Sequence, residues 1–244
     1  MDTKPLAILS AGGTGGHMFP AQALAEELLM RGWEVKLSTD LRGSRFTKNF
    51  PEAVKIETVP SATFAKHGII SKIKAPFLIL GGVFATLKAF SKHRPRIIVG
   101  FGGYPTIPAL TASIFMSLPR IIHEQNGILG KVNQLFAKKV HLVACGTWPT
   151  IIPENTKYEH IGNPVRKEVL VRSGSPYIPP GSHPMSILIM GGSQGATILS
   201  NIVPEAICTL PGELLKYIRV FQQAREEDCQ RVKSYYSAKG IACE

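Results

Sequence analysis

LAILSAGGTGGHMFPAQALAEELLMRG, residues 6–32, reads as a strand, a glycine loop and a helix in immediate succession. Leu6–Leu9 is an apolar run of strand length. From Pro20 to Arg31 the apolar residues Ala21, Leu24, Ala25, Leu28 and Leu29 recur at helical spacing on one face. Pro20 suits a first helical turn and Gly32 a C-terminal stop. The loop between them, Ala11-Gly12-Gly13-Thr14-Gly15-Gly16-His17, holds four glycines in five positions, more than a tight strand-to-helix turn needs. Glycine lets backbone N–H groups approach a ligand closely. A helix N-terminus adds orphan donors and partial positive charge, which suits a phosphate or a developing oxyanion.

The same alternation continues outward. Strands are expected at Val35–Thr39, Lys55–Val59, Arg96–Gly100, Arg120–Glu124 and His141–Cys145, which predicts a parallel sheet covered on both faces. Tyr158–Arg166, containing Gly162-Asn163-Pro164, breaks the pattern, and a Ser/Gly/Pro-rich stretch follows. The alternation then restarts with a strand at Met185–Met190, a helix at Ala196–Leu210, a strand at Tyr217–Gln222 and a helix at Arg225–Lys239. This divides the chain into a first domain, 1–163, and the opening of a second, 164–244. About 80 residues are too few for a doubly wound unit, so the second domain is expected to be truncated.

Composition narrows the function classes. At 44% hydrophobic and 18% charged, the chain can bury a proper core. Cys145, Cys208, Cys229 and Cys243 form no C-x-x-C pair, which predicts free thiols in a reducing compartment. No targeting segment is visible, and Ala75–Leu87 and Tyr104–Pro119 are too short to span a bilayer. The net charge of +11 is concentrated early: residues 1–163 carry 19 Lys plus Arg against 10 Asp plus Glu. A phosphorylated ligand or an anionic membrane face fits that balance. Without a helix-turn-helix, zinc-finger or aromatic ribonucleoprotein motif, nucleic acid is not an expected partner.

Two further glycine loops, Gly100-Phe101-Gly102-Gly103-Tyr104-Pro105 and Gly191-Gly192-Ser193-Gln194-Gly195-Ala196, also follow strands and open helices. Ligands of open α/β sheets lie at such carboxyl ends. The first loop is not a dinucleotide fingerprint, because Met18 stands where the third glycine belongs, although Asp40 is placed to meet a ribose. No Gly-Lys-Ser/Thr follows, so there is no P-loop. His123-Glu124-Gln125-Asn126-Gly127 gathers at the same ends, and Arg166 offers a fork for a pyrophosphate. With Asp2, Asp40 and Asp228 the only aspartates, there is no D-x-D metal-diphosphate site. Helix dipoles and basic side chains must then stabilise any leaving diphosphate.

GGTGGHMFPAQALAEEL (12–28), GFGGYPTIPA (100–109), HEQNGILGKVN (123–133), IGNPVR (161–166) and MGGSQGA (190–196) together resemble the family 28 glycosyltransferases that convert lipid I to lipid II in peptidoglycan synthesis. The resemblance implies a GT-B architecture of two Rossmann-like doubly wound domains, here with the second incomplete. It implies UDP-N-acetylglucosamine as donor, lipid I as acceptor, and no cofactor or metal. Carried over, the donor contacts are Thr14, Gly15, Gly16, Asn126, Arg166 and Ser193. His17 is the expected base for the acceptor 4-hydroxyl, and Gly102, Gly103, Tyr104, His123 and Glu124 are expected on the acceptor side. The family docks peripherally on the cytoplasmic face of the bacterial inner membrane, and Lys72, Ile73, Lys74 and Phe77 supply a matching patch against anionic lipid. Two alternatives stay open: a truncated copy that folds and binds without transfer, and another nucleotide-dependent α/β enzyme such as a nicotinamide oxidoreductase.

Overall fold

The computed structural model describes residues 4–59, 69–179, 181, 183–192 and 195–244, and for 69–77 the backbone alone. Two compact units divide it, Met1–Ser173 and Gly174–Glu244.

In the first unit the chain runs β1 (Leu6–Ala11), α1 (Gly15–Met30), β2 (Glu34–Thr39), a 3₁₀ turn (Gly43–Asn49), β3 (Lys55–Thr58), α2 (Ile69–Lys92) and β4 (Ile97–Gly102). It continues with α3 (Thr106–Phe115), β5 (Arg120–Glu124), α4 (Lys131–Phe136), β6 (Leu142–Cys145), β7 (Tyr158–His160) and α5 (Lys167–Leu170). The strands form one sheet in the order β3-β2-β1-β4-β5-β6-β7, and every neighbouring pair is parallel. All six residues of β1 are buried, as a central parallel strand covered on both faces requires. Alternation sends Ile8 to a core with Ile98, Leu110 and Ile122, and Leu9 to another with Met18, Leu37 and Phe101. The chain builds outward from β1 to β3 and then returns to β4 on the other side of β1. The carboxyl ends of β1 and β4 therefore flank a topological switch point, the place where open α/β sheets hold ligands.

Three features differ from the sequence reading. Helix α1 starts at Gly15, so Pro20 lies inside it and not in its first turn. The glycines are themselves the first turn, and a proline at this depth forgoes only the bond to the Gly16 carbonyl. The C-terminal stop is as expected: Gly32 takes φ +79°, and Trp33 N–H reaches the Leu28 carbonyl at 2.9 Å. Tyr158–His160, expected to break the pattern, is the edge strand β7, paired with Val143–Cys145. Its three residues are exposed, so no apolar run betrays it. The units part at Ser173, ten residues beyond the boundary at 163, because Arg166 and Val169 pack beside Phe19 of α1.

The second unit runs β8 (Met185–Ile189), α6 (Thr197–Cys208), α7 (Gly212–Leu215), β9 (Ile218–Gln222), α8 (Glu226–Ser237) and β10 (Ala242–Cys243). Its parallel sheet has the order β10-β9-β8. Ile189, Ile207, Val220, Val232 and Tyr236 form its core, and the buried Tyr236 hydroxyl donates to Gln222 Oε1 at 2.6 Å.

Candidate functional site

Thr14, extended at φ −142° and ψ 159°, caps α1. Its carbonyl accepts the N–H groups of His17 and Met18 at 3.2 and 3.1 Å, leaving those of Gly15 and Gly16 as the orphan donors of this helix end. The His17 ring doubles back so that Nδ1 lies 2.7 Å from the Gly12 carbonyl. A carbonyl only accepts, so Nδ1 carries the proton and Nε2 presents a lone pair. Gly102 adjoins that second nitrogen: a Cβ there would lie 2.9 Å from Nε2, and the residue has φ +102°. Both facts restrict the position to glycine. His17 borders a pocket of about 200 Å³ shared with Gly102, Gly103, Tyr104, Gly130, Lys131 and Asn133.

Glu124, at the end of β5, is 1% exposed. Its Oε1 accepts the Asn126 N–H at 3.1 Å and Asn126 Nδ2 at 3.0 Å, and its Oε2 accepts the Gly130 N–H and Asn133 Nδ2, both at 2.9 Å. One carboxylate therefore folds the whole turn between β5 and α4. With its amide nitrogen held by Glu124, Asn126 is left with its carbonyl oxygen to offer a ligand.

His123 is 2% exposed. Gln125 Nε2 donates to its Nδ1 at 3.2 Å, so Nε2 carries the proton and donates to the Gly162 carbonyl at 3.3 Å. Burial holds its pKa below the ordinary value, opposed by the bond to Gly162 and by Glu124. Expected beside the acceptor, His123 and Glu124 instead lie beneath the surface with their polar atoms engaged, and they position the loops above them.

Arg166 is half-buried, with its guanidinium 4.1 Å from the centre of the Phe19 ring. Gly15, Gly16, Phe19, Gln125, Asn163 and Arg166 line a second pocket of about 300 Å³. Of the expected donor contacts, this pocket brings together Gly15, Gly16 and Arg166. Thr14 and Asn126 stand on the adjoining loops without lining it. Ser193 lies outside the described residues, and so do the side chains of Lys72, Ile73, Lys74 and Phe77. Among the described residues no group of three metal-ligating side chains converges.

Sequence reasoning missed Lys131, Asn133 and Phe19. Lys131 and Asn133 were visible inside HEQNGILGKVN, but only the fold places them in the His17 pocket. Phe19 left no signal, because its partner Arg166 is distant along the chain.

Glycine loops, His17 and Arg166 gather beside the switch point of a parallel sheet, the arrangement of an α/β protein of the doubly wound class. Residues 7–145, more than half of the chain, match the glycosyltransferase family 28 N-terminal domain. The chain belongs to that family. A UDP-N-acetylglucosamine--N-acetylmuramyl-(pentapeptide) pyrophosphoryl-undecaprenol N-acetylglucosamine transferase of Caulobacter vibrioides (strain NA1000 / CB15N) is 43% identical over 98% of this chain and 66% of its own length. The protein of the same name from Rhizobium meliloti (strain 1021) is 43% identical over 99% of this chain and 65% of its own. The chain thus spans about two thirds of the length of these curated relatives. Among solved structures, MurG of Acinetobacter baumannii superposes with a TM-score of 0.70 at 25% identity, covering 98% of this chain and 67% of that one. A UDP-N-acetylglucosamine 2-epimerase, at TM-score 0.61 and 12% identity, shares the fold alone. The architecture is that of the GT-B glycosyltransferases.

Proposed function

We propose that this chain carries the catalytic half-site of an inverting transferase. It moves N-acetylglucosamine from UDP-N-acetylglucosamine to the 4-hydroxyl of the muramyl sugar in lipid I, giving lipid II. The observation that carries the reading is His17, whose Nε2 faces the pocket as a lone pair while the Gly12 carbonyl holds Nδ1–H. That is the arrangement of a general base. The names of the relatives, at 43% identity, supply the substrates.

Nε2 takes the proton of the acceptor hydroxyl, and the oxygen bonds to C1 of the donor sugar from the face opposite the diphosphate. The C1–O bond breaks and UDP leaves with the electron pair. The Gly16 N–H and the Arg166 guanidinium supply positive charge where that negative charge develops. The Gly12 carbonyl stabilises the imidazolium formed at His17.

The acceptor is lipid-linked, and the first unit offers a face for the membrane. Leu78, Leu80 and Phe84 of α2 and Phe115 of α3 are exposed, and α2 packs against α3. Exposed Lys88, Lys92 and Arg94 border them, and Arg94 donates to the Met116 carbonyl at 3.0 Å. Apolar insertion beside basic side chains suits peripheral docking on anionic lipid. Among the described residues no helix is long and apolar enough to cross a membrane. The test is transfer of label from radiolabelled UDP-N-acetylglucosamine to lipid I in vesicles. Labelled lipid II is expected, and its absence overturns the reading.

A further inference from the structure

We infer that Phe19 is a positioning residue that presents Arg166 to the diphosphate of a sugar nucleotide, an inference that rests on the donor reading above. The guanidinium carbon of Arg166 sits over the Phe19 ring, 4.1 Å from its centre. A guanidinium held over an aromatic ring engages it through its charge, which leaves its N–H edge to meet a phosphate in bidentate fashion. Among the described residues Arg166 has no ion pair, so no carboxylate competes for the edge.

The ring is itself held in place. Phe46, from the 3₁₀ turn after β2, meets it edge-on at 5.7 Å with the planes at 88°. On another side the Phe19 ring leans over Gly15, where a Cβ would lie 2.8 Å from Cε2. This gives Gly15 a reason of its own: it clears space for the ring, while Gly16 supplies the exposed N–H. The loop then acts through two devices at once. Its helix end offers backbone donors, and its first turn carries the platform for a cation contributed from the far end of the unit. Both open on the same pocket of about 300 Å³.

The contact makes a quantitative demand. A cation–π pair of this exposure fixes the cation by an amount worth about two- to five-fold in binding. Equilibrium dialysis of the full chain with radiolabelled UDP-N-acetylglucosamine reads it directly, with Phe19→Leu, Phe19→Tyr, Arg166→Ala and the Phe19→Leu/Arg166→Ala double variant. Arg166→Ala should weaken binding by ten-fold or so, the scale of one charge-assisted pair. Phe19→Leu should weaken it about two- to five-fold. Phe19→Tyr, which keeps the ring, should bind as the parent does. In the double variant the Phe19→Leu effect should vanish, because the cation it positions is gone. If Phe19→Leu binds like the parent while Arg166→Ala does not, the positioning role is wrong. A Phe19→Leu loss that persists in the double variant overturns it equally, showing that the ring acts only on the fold. If Arg166→Ala binds as the parent does, or the parent does not bind at all, the donor reading falls and takes the inference with it.

Discussion

Exchanging Glu124 for glutamine removes one charge and little volume, yet it strikes the group that folds the β5–α4 turn. Its carboxylate accepts four N–H donors, two on each oxygen, at 2.9 to 3.1 Å. Glutamine offers one oxygen and one NH₂, so two of those donors must face another donor. The cheaper orientation keeps the oxygen on the Gly130 N–H and the buried Asn133 Nδ2, and gives up the Asn126 pair, which water can reach. The two bonds retained weaken from charge-assisted to neutral, and the two lost are repaid only in part by water. At about 1.5–3 kcal/mol for a hydrogen bond to a charged group and about half that for a neutral one, the net loss is about 2–4 kcal/mol. Relief of the buried charge offsets a fraction of this. A chain of this size loses about 2–4 °C of Tm per kcal/mol, so Glu124→Gln should lower Tm by roughly 5–12 °C. Circular dichroism during heating measures it. A Tm within about 1 °C of the parent would refute the claim that the charge organises the turn.

Four other outcomes follow from the geometry. His17→Ala should cut turnover about 100-fold or more with little change in donor KM, and nearly unchanged turnover would send the search for the base elsewhere. Gly102→Ala places a Cβ 2.9 Å from His17 Nε2 at φ +102°. Steady-state kinetics should show turnover lowered about ten-fold or more through displacement of the ring, and parent-like rates would mean the ring tolerates the methyl. Burial depresses the pKa of His123, so the unfolded chain binds its proton first as pH falls. Its contribution is intact above the ordinary pKa of about 6.5 and is lost below it, down to the folded value. Tm should therefore fall between pH 7.5 and 5.5, and His123→Gln should flatten that fall; an unchanged slope contradicts it. Phe84→Asp and Phe115→Asp should each reduce sedimentation with anionic vesicles about ten-fold, since a buried phenylalanine is worth about 1.5–3 kcal/mol. Equal sedimentation would place the docking face elsewhere.

The strands were legible wherever they are central. Leu6–Leu9 is wholly apolar because both faces of the sheet are covered there, Val35–Thr39 and Arg120–Glu124 keep an apolar centre, and all three emerge in place within a residue or two. Tyr158–His160 was illegible for the complementary reason: an edge strand of three exposed residues carries no burial pattern. The start of α1 was hidden by its own composition. Glycines and an internal proline look like loop, yet Thr14 caps a helix there whose first turn is Gly15 and Gly16. At the site, the glycine loops declared themselves by composition, since few other residues tolerate the positive φ of Gly13, Gly102 and Gly103. Arg166 was legible in IGNPVR, but Phe19 and its contact with Arg166 were not, because nothing local records a meeting of α1 with the segment after β7.

The two histidines show where residue type stops being informative. In sequence, His17 is the expected base and His123 an expected acceptor contact, but residue type alone separates them little. In the fold each gives a ring N–H to a backbone carbonyl, but through opposite nitrogens. Gly12 fixes the proton on Nδ1 of His17 and leaves Nε2 facing the pocket. Gly162 fixes it on Nε2 of His123, and Gln125 then occupies Nδ1 from the other side. Only the first ring keeps a lone pair for chemistry. The second has Nδ1 engaged by Gln125 and uses Nε2 to tie β5 to Gly162, in the turn that precedes Arg166. Under the proposed mechanism, carbonyl partners and not the imidazoles themselves divide the roles of base and scaffold.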